Sequence, residues 1–157
     1  MGGRGMTGAQ PAIRSEFQFL DYWMERLTYA GRPPVESGAQ YQYSLNLERS
    51  HVELEAPEGV RRVEVRLGVS LTFPGDEKAP FELTATVAGL FEATAGYSPE
   101  LFDRMCLVNA PALLYAQLRP VSRIVLADGG HTFVLPLVNV AAMLDGAPPV
   151  GGRERED

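Results

Sequence analysis

Residues 62–73, RVEVRLGVSLTF, decide the fold class. Val63, Val65, Leu67, Val69, Leu71 and Phe73 fall on one side of an extended chain; Arg62, Glu64, Arg66, Gly68, Ser70 and Thr72 fall on the other. Side chains alternate faces along a strand, so a period of two held over this length predicts a strand covered on one face only. Residues 81–94, FELTATVAGLFEAT, repeat the pattern, with Phe81, Leu83, Ala85, Val87 and Phe91 in phase and Glu82, Thr84 and Thr86 opposed. The link at 74–80, PGDEKAP, is short and rich in turn formers, which predicts a hairpin.

Upstream, residues 41–55 predict another strand with a phase slip: Tyr41, Tyr43, Leu45 and Leu47 are odd, whereas Val52 and Leu54 are even. One extra residue in a ladder produces such a slip, so a β-bulge is expected near Arg49 to His51. The aromatic-rich stretch 16–29, EFQFLDYWMERLTY, reads as a first strand, although its spacing also suits a helix. A long link with Pro33 and Pro34 joins it to the second strand.

Downstream, the period lengthens. Ser98-Pro99-Glu100 has the make-up of a helix start, with Ser as N-cap, Pro in the first turn and a carboxylate at the positive dipole end. Leu101, Phe102, Met105 and Cys106 follow at helical spacing, Asn109-Ala110-Pro111 interrupts, and Leu114, Leu118, Val121 and Val125 resume it. Pro120 is expected to kink this helix, and Gly129-Gly130 to end it. His131 to Leu137 reads as an extended apolar link, and Asn139 as the cap of a short helix carrying Val140, Met143 and Leu144. Strands first and helices last predict an α+β fold: a four-stranded antiparallel sheet, then a long kinked helix and a short C-terminal one. One domain is expected over 15–144, between a disordered segment 1–14 and a flexible tail 145–157.

The chain has 157 residues, 45% hydrophobic and 22% charged, with a formal net charge of -6. This balance argues against wholesale disorder, and the absence of a basic stripe argues against nucleic-acid binding. The single cysteine, Cys106, excludes an intrachain disulfide and fits a reducing compartment. No apolar run reaches the ~18 residues that span a bilayer, and the glycine-rich start lacks the apolar core of a secretory signal. A cytoplasmic protein without membrane insertion is expected.

Residues able to do chemistry are sparse. His51, Glu53 and Glu55 share one strand face, as a metal site or acid–base pair requires, but the solvated face of a half-exposed strand is the commoner account. Cys106 sits on an apolar helical stripe, where a free thiol packs as a small hydrophobe, and His131 follows a Gly-Gly turn. Arg119 and Arg123, four apart on the long helix, suit an anion or simply a solvated face. No catalytic residue, metal or cofactor is expected. The apolar excess is more informative: Phe17, Phe19, Trp23, Phe133, Val134, Leu135, Leu137, Met143 and Leu144 exceed what one small sheet and one helix can cover. Such a surplus fits either an oligomer interface or a groove for apolar peptides.

From Phe17 to Leu144 the chain resembles the protein-export chaperone SecB and its relatives. FELTATVAGLFEATAG at 81–96 is similar to the family's last strand, with Gly89-Leu90-Phe91 as its ending. NAPALLYAQLRPVSRIVLADGG at 109–130 resembles the Pro-containing long helix, and TFVLPLVNVAAML at 132–144 the closing segment. The resemblance implies a homotetramer, a dimer of dimers with long helices between two eight-stranded sheets. It also implies a holdase that binds unfolded or precursor polypeptides in apolar grooves without ATP. The implied groove residues are Phe19, Trp23, Phe133, Leu135, Leu137, Val140, Met143 and Leu144, and the implied interface comprises Leu83, Ala85, Val87, Leu114, Leu118 and Val121. The net charge would favour clients with positive segments. Arg26, Ala30 and Thr84 stand where the family's SecA-contacting carboxylates do, and Leu114-Tyr115-Ala116-Gln117-Leu118-Arg119-Pro120 replaces its Phe-Pro-Tyr-Ala-Arg-Glu run. These departures, with a tail unlike the SecA-binding terminus, weigh against delivery to SecA and leave an antitoxin partner open.

Overall fold

The two alternating stretches form the centre of an antiparallel sheet in the computed structural model, which describes residues 16–32, 42–75, 79–145 and 150–152. The expected disordered segment 1–14, the link through Pro33 and Pro34, Tyr41 and most of the expected tail lie outside the described residues. The strands are β1 (Phe17–Gly31), β2 (Tyr43–Leu54), β3 (Val60–Thr72), β4 (Phe81–Thr94) and a short β5 (Val150–Gly152). They lie in the order β1-β4-β3-β2-β5. β5 pairs Tyr43 to Leu45 of β2 and adds a fifth strand within the stretch read as tail. In the β3–β4 hairpin Val63 faces Phe91, Leu67 faces Val87 and Leu71 faces Leu83. Residues directly opposite share a face, so the two patterns merge into one apolar surface that is fully buried.

β1 resolves the ambiguity of 16–29 in favour of a strand, and shows its cause. Its register against β4 shifts twice, between Phe19 and Asp21 and between Met24 and Arg26. Each extra residue moves the following side chains to the other face, so the helix-side set becomes Phe17, Phe19, Tyr22, Met24, Leu27 and Tyr29. Its mixture of steps of two and three imitates helical spacing.

The bulge expected near Arg49 to His51 is absent. β2 pairs β3 in one unbroken register from Ser44–Thr72 to Leu54–Arg62. The phase change in β2 reflects a change of cover rather than of register. From Arg49 onward the helix-side residues are polar: the Arg49 guanidinium donates to the Leu107 carbonyl and pairs with Asp145, and Glu53 pairs with Arg61. Val52 stands on the opposite face, 53% exposed.

The interruption expected at Asn109-Ala110-Pro111 is also absent. α1 (Pro99–Arg104) passes through a π-helical turn at Met105–Asn109 directly into α2 (Ala110–Asp128), which continues through Pro120. The Ala110 amide reaches back five residues to the Met105 carbonyl, the wider loop of a π turn. Pro111 has no N–H to return to the preceding turn, and Arg49 supplies the Leu107 carbonyl with a donor from outside the helix. α3 (Val140–Leu144) is capped by Asn139, whose side chain accepts from the Ala142 amide at 3.0 Å.

α2 lies on the apolar sheet face through Leu114, Leu118 and Leu126, all fully buried. At Gly89 the approach is close enough that a Cβ would stand 2.7 Å from Leu114 Cδ2 and 2.8 Å from Phe91 Cε2. A glycine in mid-strand weakens pairing; here it leaves room for the helix and the aromatic stack.

Candidate functional site: a groove beside the long helix

The apolar link after α2 is held by the helix itself. At the helix end a Cβ on Gly129 would fall 2.0 Å from Tyr29 Oη, so a larger residue there would have to displace the outer end of that ring, and Gly130 turns the chain at φ 85. Residues 131–139 then run back along α2. Tyr115 Oη donates to the Pro136 carbonyl at 2.6 Å, and Arg119 Nε donates to the Leu135 carbonyl at 2.9 Å. These residues are four apart and share a helix face; because both bind backbone carbonyls, the link is docked while its side chains stay free to differ. Burial pushes the Tyr115 hydroxyl up to about 12, so it stays protonated and able to donate.

Between α2 and this link runs a groove in three adjoining stretches. The middle encloses about 530 Å³ between Ala116, Pro120, Ile124 and Ala127 of the helix and Val134 of the link. Toward α3 it continues as about 340 Å³ lined by Ala112, Tyr115, Leu137, Val138 and Val140. At the other end about 380 Å³ lies between Arg123, Gly130, His131 and Phe133. Ala116 and Arg119 are shared by the first two stretches, and Arg123, Ala127 and Val134 by the first and third. At ~1.5 Å per helical residue, Val108 to Ala127 gives a run of about 28 Å, enough for about eight residues of extended chain.

The structure divides the residues expected in a groove. Phe133, Leu137 and Val140 line it, and Leu137 is 82% exposed. Leu135, between them in sequence, is fully buried beneath the link. Met143 and Leu144 are half-buried against the core. Phe19 stacks on Phe91 at 4.9 Å, at the far end of β4 from Phe81 and Phe133. Trp23 pairs with Ala88, on the sheet face turned away from the helices. The two aromatics of β1 therefore do not join the C-terminal set: Phe19 shares the helix-side face but lies at its far end, and Trp23, beyond the first bulge, lies on the other face.

The residues expected at a subunit interface are placed differently too. Leu83, Ala85, Val87, Leu114 and Leu118 are all within 1% of complete burial in the chain's own core, and retain no area for a second copy; Val121 is half-buried. The apolar surface that does remain on α2 is the stripe of Leu113, Pro120 and Ile124, with Ile124 71% exposed. The signal for it was in the sequence: Ala112, Ala116, Pro120, Ile124 and Ala127 recur at helical spacing where a solvated face would carry charges.

The reactive side chains are engaged elsewhere. Glu53 accepts two bonds from Arg61, at 2.9 and 3.1 Å, which hold its carboxyl below the usual range. No group of three or more metal-ligating side chains occurs among the described residues. His131 packs against the rings of Tyr29 and Phe81, whereas the charged groups that act on Cys106 are Asp103, Arg61 and Glu53. Burial, reinforced by Asp103, raises the Cys106 thiol from 9.0 to about 11, so the thiolate nucleophile is scarce at neutral pH. Alkylation at pH 8 should run on the order of a hundredfold slower in the native chain than in urea, from the thiolate fraction alone; equal rates would contradict the burial. The same shift favours the fold below pH 9.0, and that contribution is lost as pH rises through about 11, because the unfolded thiol releases its proton first.

Solved structures similar to this chain include the following two. The SecB-like chaperone of Mycobacterium tuberculosis, in complex with a ChAD peptide from the HigA1 antitoxin, aligns with a TM-score of 0.59 at 16% identity, over 78% of this chain and 90% of that one. A Streptococcus agalactiae protein of unknown function aligns with a TM-score of 0.55 at 13% identity, over 77% and 97%. No protein-family model matches the chain, and no curated protein matches its sequence. The fold is SecB-like: an antiparallel sheet followed by a long helix and a short one.

Proposed function

We propose that this chain is an ATP-independent polypeptide-binding chaperone that holds extended, largely apolar segments of non-native proteins in the groove beside α2. The carrying observation is the groove itself, about 530 Å³ at its middle and continued at both ends by lining that is mostly small or apolar. A holdase needs no catalytic group, only accessible apolar surface that binds non-native chains in preference to native ones. Phe133, Val134, Leu137 and Ile124 make the contacts in this reading. The SecB-like neighbour supports a chaperone role, and its bound antitoxin peptide favours an antitoxin over an export precursor handed to SecA as the client. A homotetramer is proposed with it: among the described residues β1 stands at the end of the sheet and pairs on one side only, which leaves its outer edge to a second copy while the groove stays open.

The test is aggregation of a reduced, permanently unfolded protein. Suppression at near-stoichiometric amounts of this chain, unchanged by ATP, is the expected result; undiminished aggregation would sink the reading. The exposed stripe on α2 also suits an oligomeric module with no client. A hydrophobic dye separates the two, since a surface sealed by assembly binds none.

A further inference from the structure

The chain is acidic, at -6, yet the groove is not. Among the described residues no carboxylate lines any of its three stretches, whereas Arg119 and Arg123 both border the middle one. Arg119 spends its Nε on the Leu135 carbonyl, which fixes the guanidinium at the groove wall with its terminal nitrogens unspent. Arg123 is exposed and makes no hydrogen bond or ion pair among the described residues. Three arginines of β3 differ: Arg61, Arg62 and Arg66 are each neutralised by a glutamate. Two unneutralised guanidiniums beside an apolar floor form a local field opposite in sign to the net charge.

We propose that the groove selects extended polypeptide segments in which a pair of carboxylates, two residues apart, is flanked by apolar side chains. Four helical residues separate Arg119 from Arg123, a rise of about 6 Å. Side chains on the same face of an extended peptide recur every ~6.6 Å. Asp or Glu at i and i+2 therefore meets both guanidiniums at once, while residues before and after reach Ile124, Ala127 and Val134. Charge-assisted pairing beside an apolar wall is stronger and more selective than at an open surface. The net charge of the chain alone points to basic clients; the groove lining points to acidic ones.

This rests on the polypeptide-binding reading, and the experiment separates the two. Labelled nine-residue peptides of one apolar sequence, carrying Glu-x-Glu, Gln-x-Gln or Lys-x-Lys at the centre, are titrated into the full chain and followed by fluorescence anisotropy. The Glu peptide is expected to bind at least about fivefold tighter than the Gln peptide, with Lys weakest, and its advantage should shrink as salt is raised. Arg123→Glu, at an exposed position outside the core, leaves one positive and one negative side chain facing the pair and is expected to abolish the difference between the Glu and Lys peptides. Equal affinities, or a preference for Lys in the native chain, overturn the selectivity while leaving polypeptide binding in place. No binding by any peptide, with aggregation still suppressed, overturns the groove as the site. No binding together with undiminished aggregation overturns the polypeptide-binding reading itself.

Discussion

Phe91→Ala is expected to lower the unfolding free energy by about 3–5 kcal/mol, the range for truncating a buried aromatic. The ring is fully buried and is the hub of a stack, 5.5 Å from Phe17 and 4.9 Å from Phe19. Phe17 in turn meets Phe102 of α1 edge-on at 5.9 Å. The residue thus joins β1, β4 and the start of the helical run, and the sheet backbone beneath it has little freedom to collapse into the void. Urea unfolding should show a lower midpoint with an unchanged slope. Phe19→Ala, at a half-buried site holding one side of the same stack, should cost clearly less. A loss below about 1 kcal/mol for Phe91→Ala would contradict the packing described, since even an Ile→Val truncation in a core often reaches that value.

Leu137→Ser is expected to separate binding from stability. The side chain is 82% exposed, so its loss should change stability by no more than about 0.5 kcal/mol. It also stands on the groove wall beside Val138 and Val140, where a bound segment would cover it. Burying a leucine side chain is worth about 1.5–3 kcal/mol, so partial cover predicts a client affinity about tenfold weaker, or ~1.4 kcal/mol. Val52→Ser is the matched control, an apolar residue 53% exposed on the sheet face away from the groove. Unchanged affinity for Leu137→Ser, or an equal loss for both variants, would remove the groove from the account.

Much of this architecture was legible in the chain, and the failures share one cause. The hairpin of β3 and β4 follows from strict alternation, and the cap of α3 from Asn139; both depend on residues within a few positions of one another. In β2 the same logic misread a change of cover as a bulge, because the apolar Val52 lies beyond the reach of the helical layer. In β1 it met two bulges whose spacing imitates a helix. At Pro111 it placed a break that a π turn and the distant Arg49 remove. The groove followed the same division. Phe133 and Leu137 were recognisable as apolar residues in an extended link, but Trp23 is set on the other face by the first bulge of β1, and Phe19 stacks on Phe91 at the far end of the sheet.

Local periodicity was enough to specify an α+β chain with a one-sided sheet, its apolar face and its helix-forming stretches. Which stripe of α2 meets the sheet, and which is left outside, follows from long-range packing. The same packing docks the carbonyls of Leu135 and Pro136 on Arg119 and Tyr115, and turns toward the groove of an acidic protein two arginines that have no carboxylate partner among the described residues. Periodicity records that a residue has an apolar or polar side. Which layer covers that side depends on contacts between residues far apart in the chain, and no local pattern encodes them.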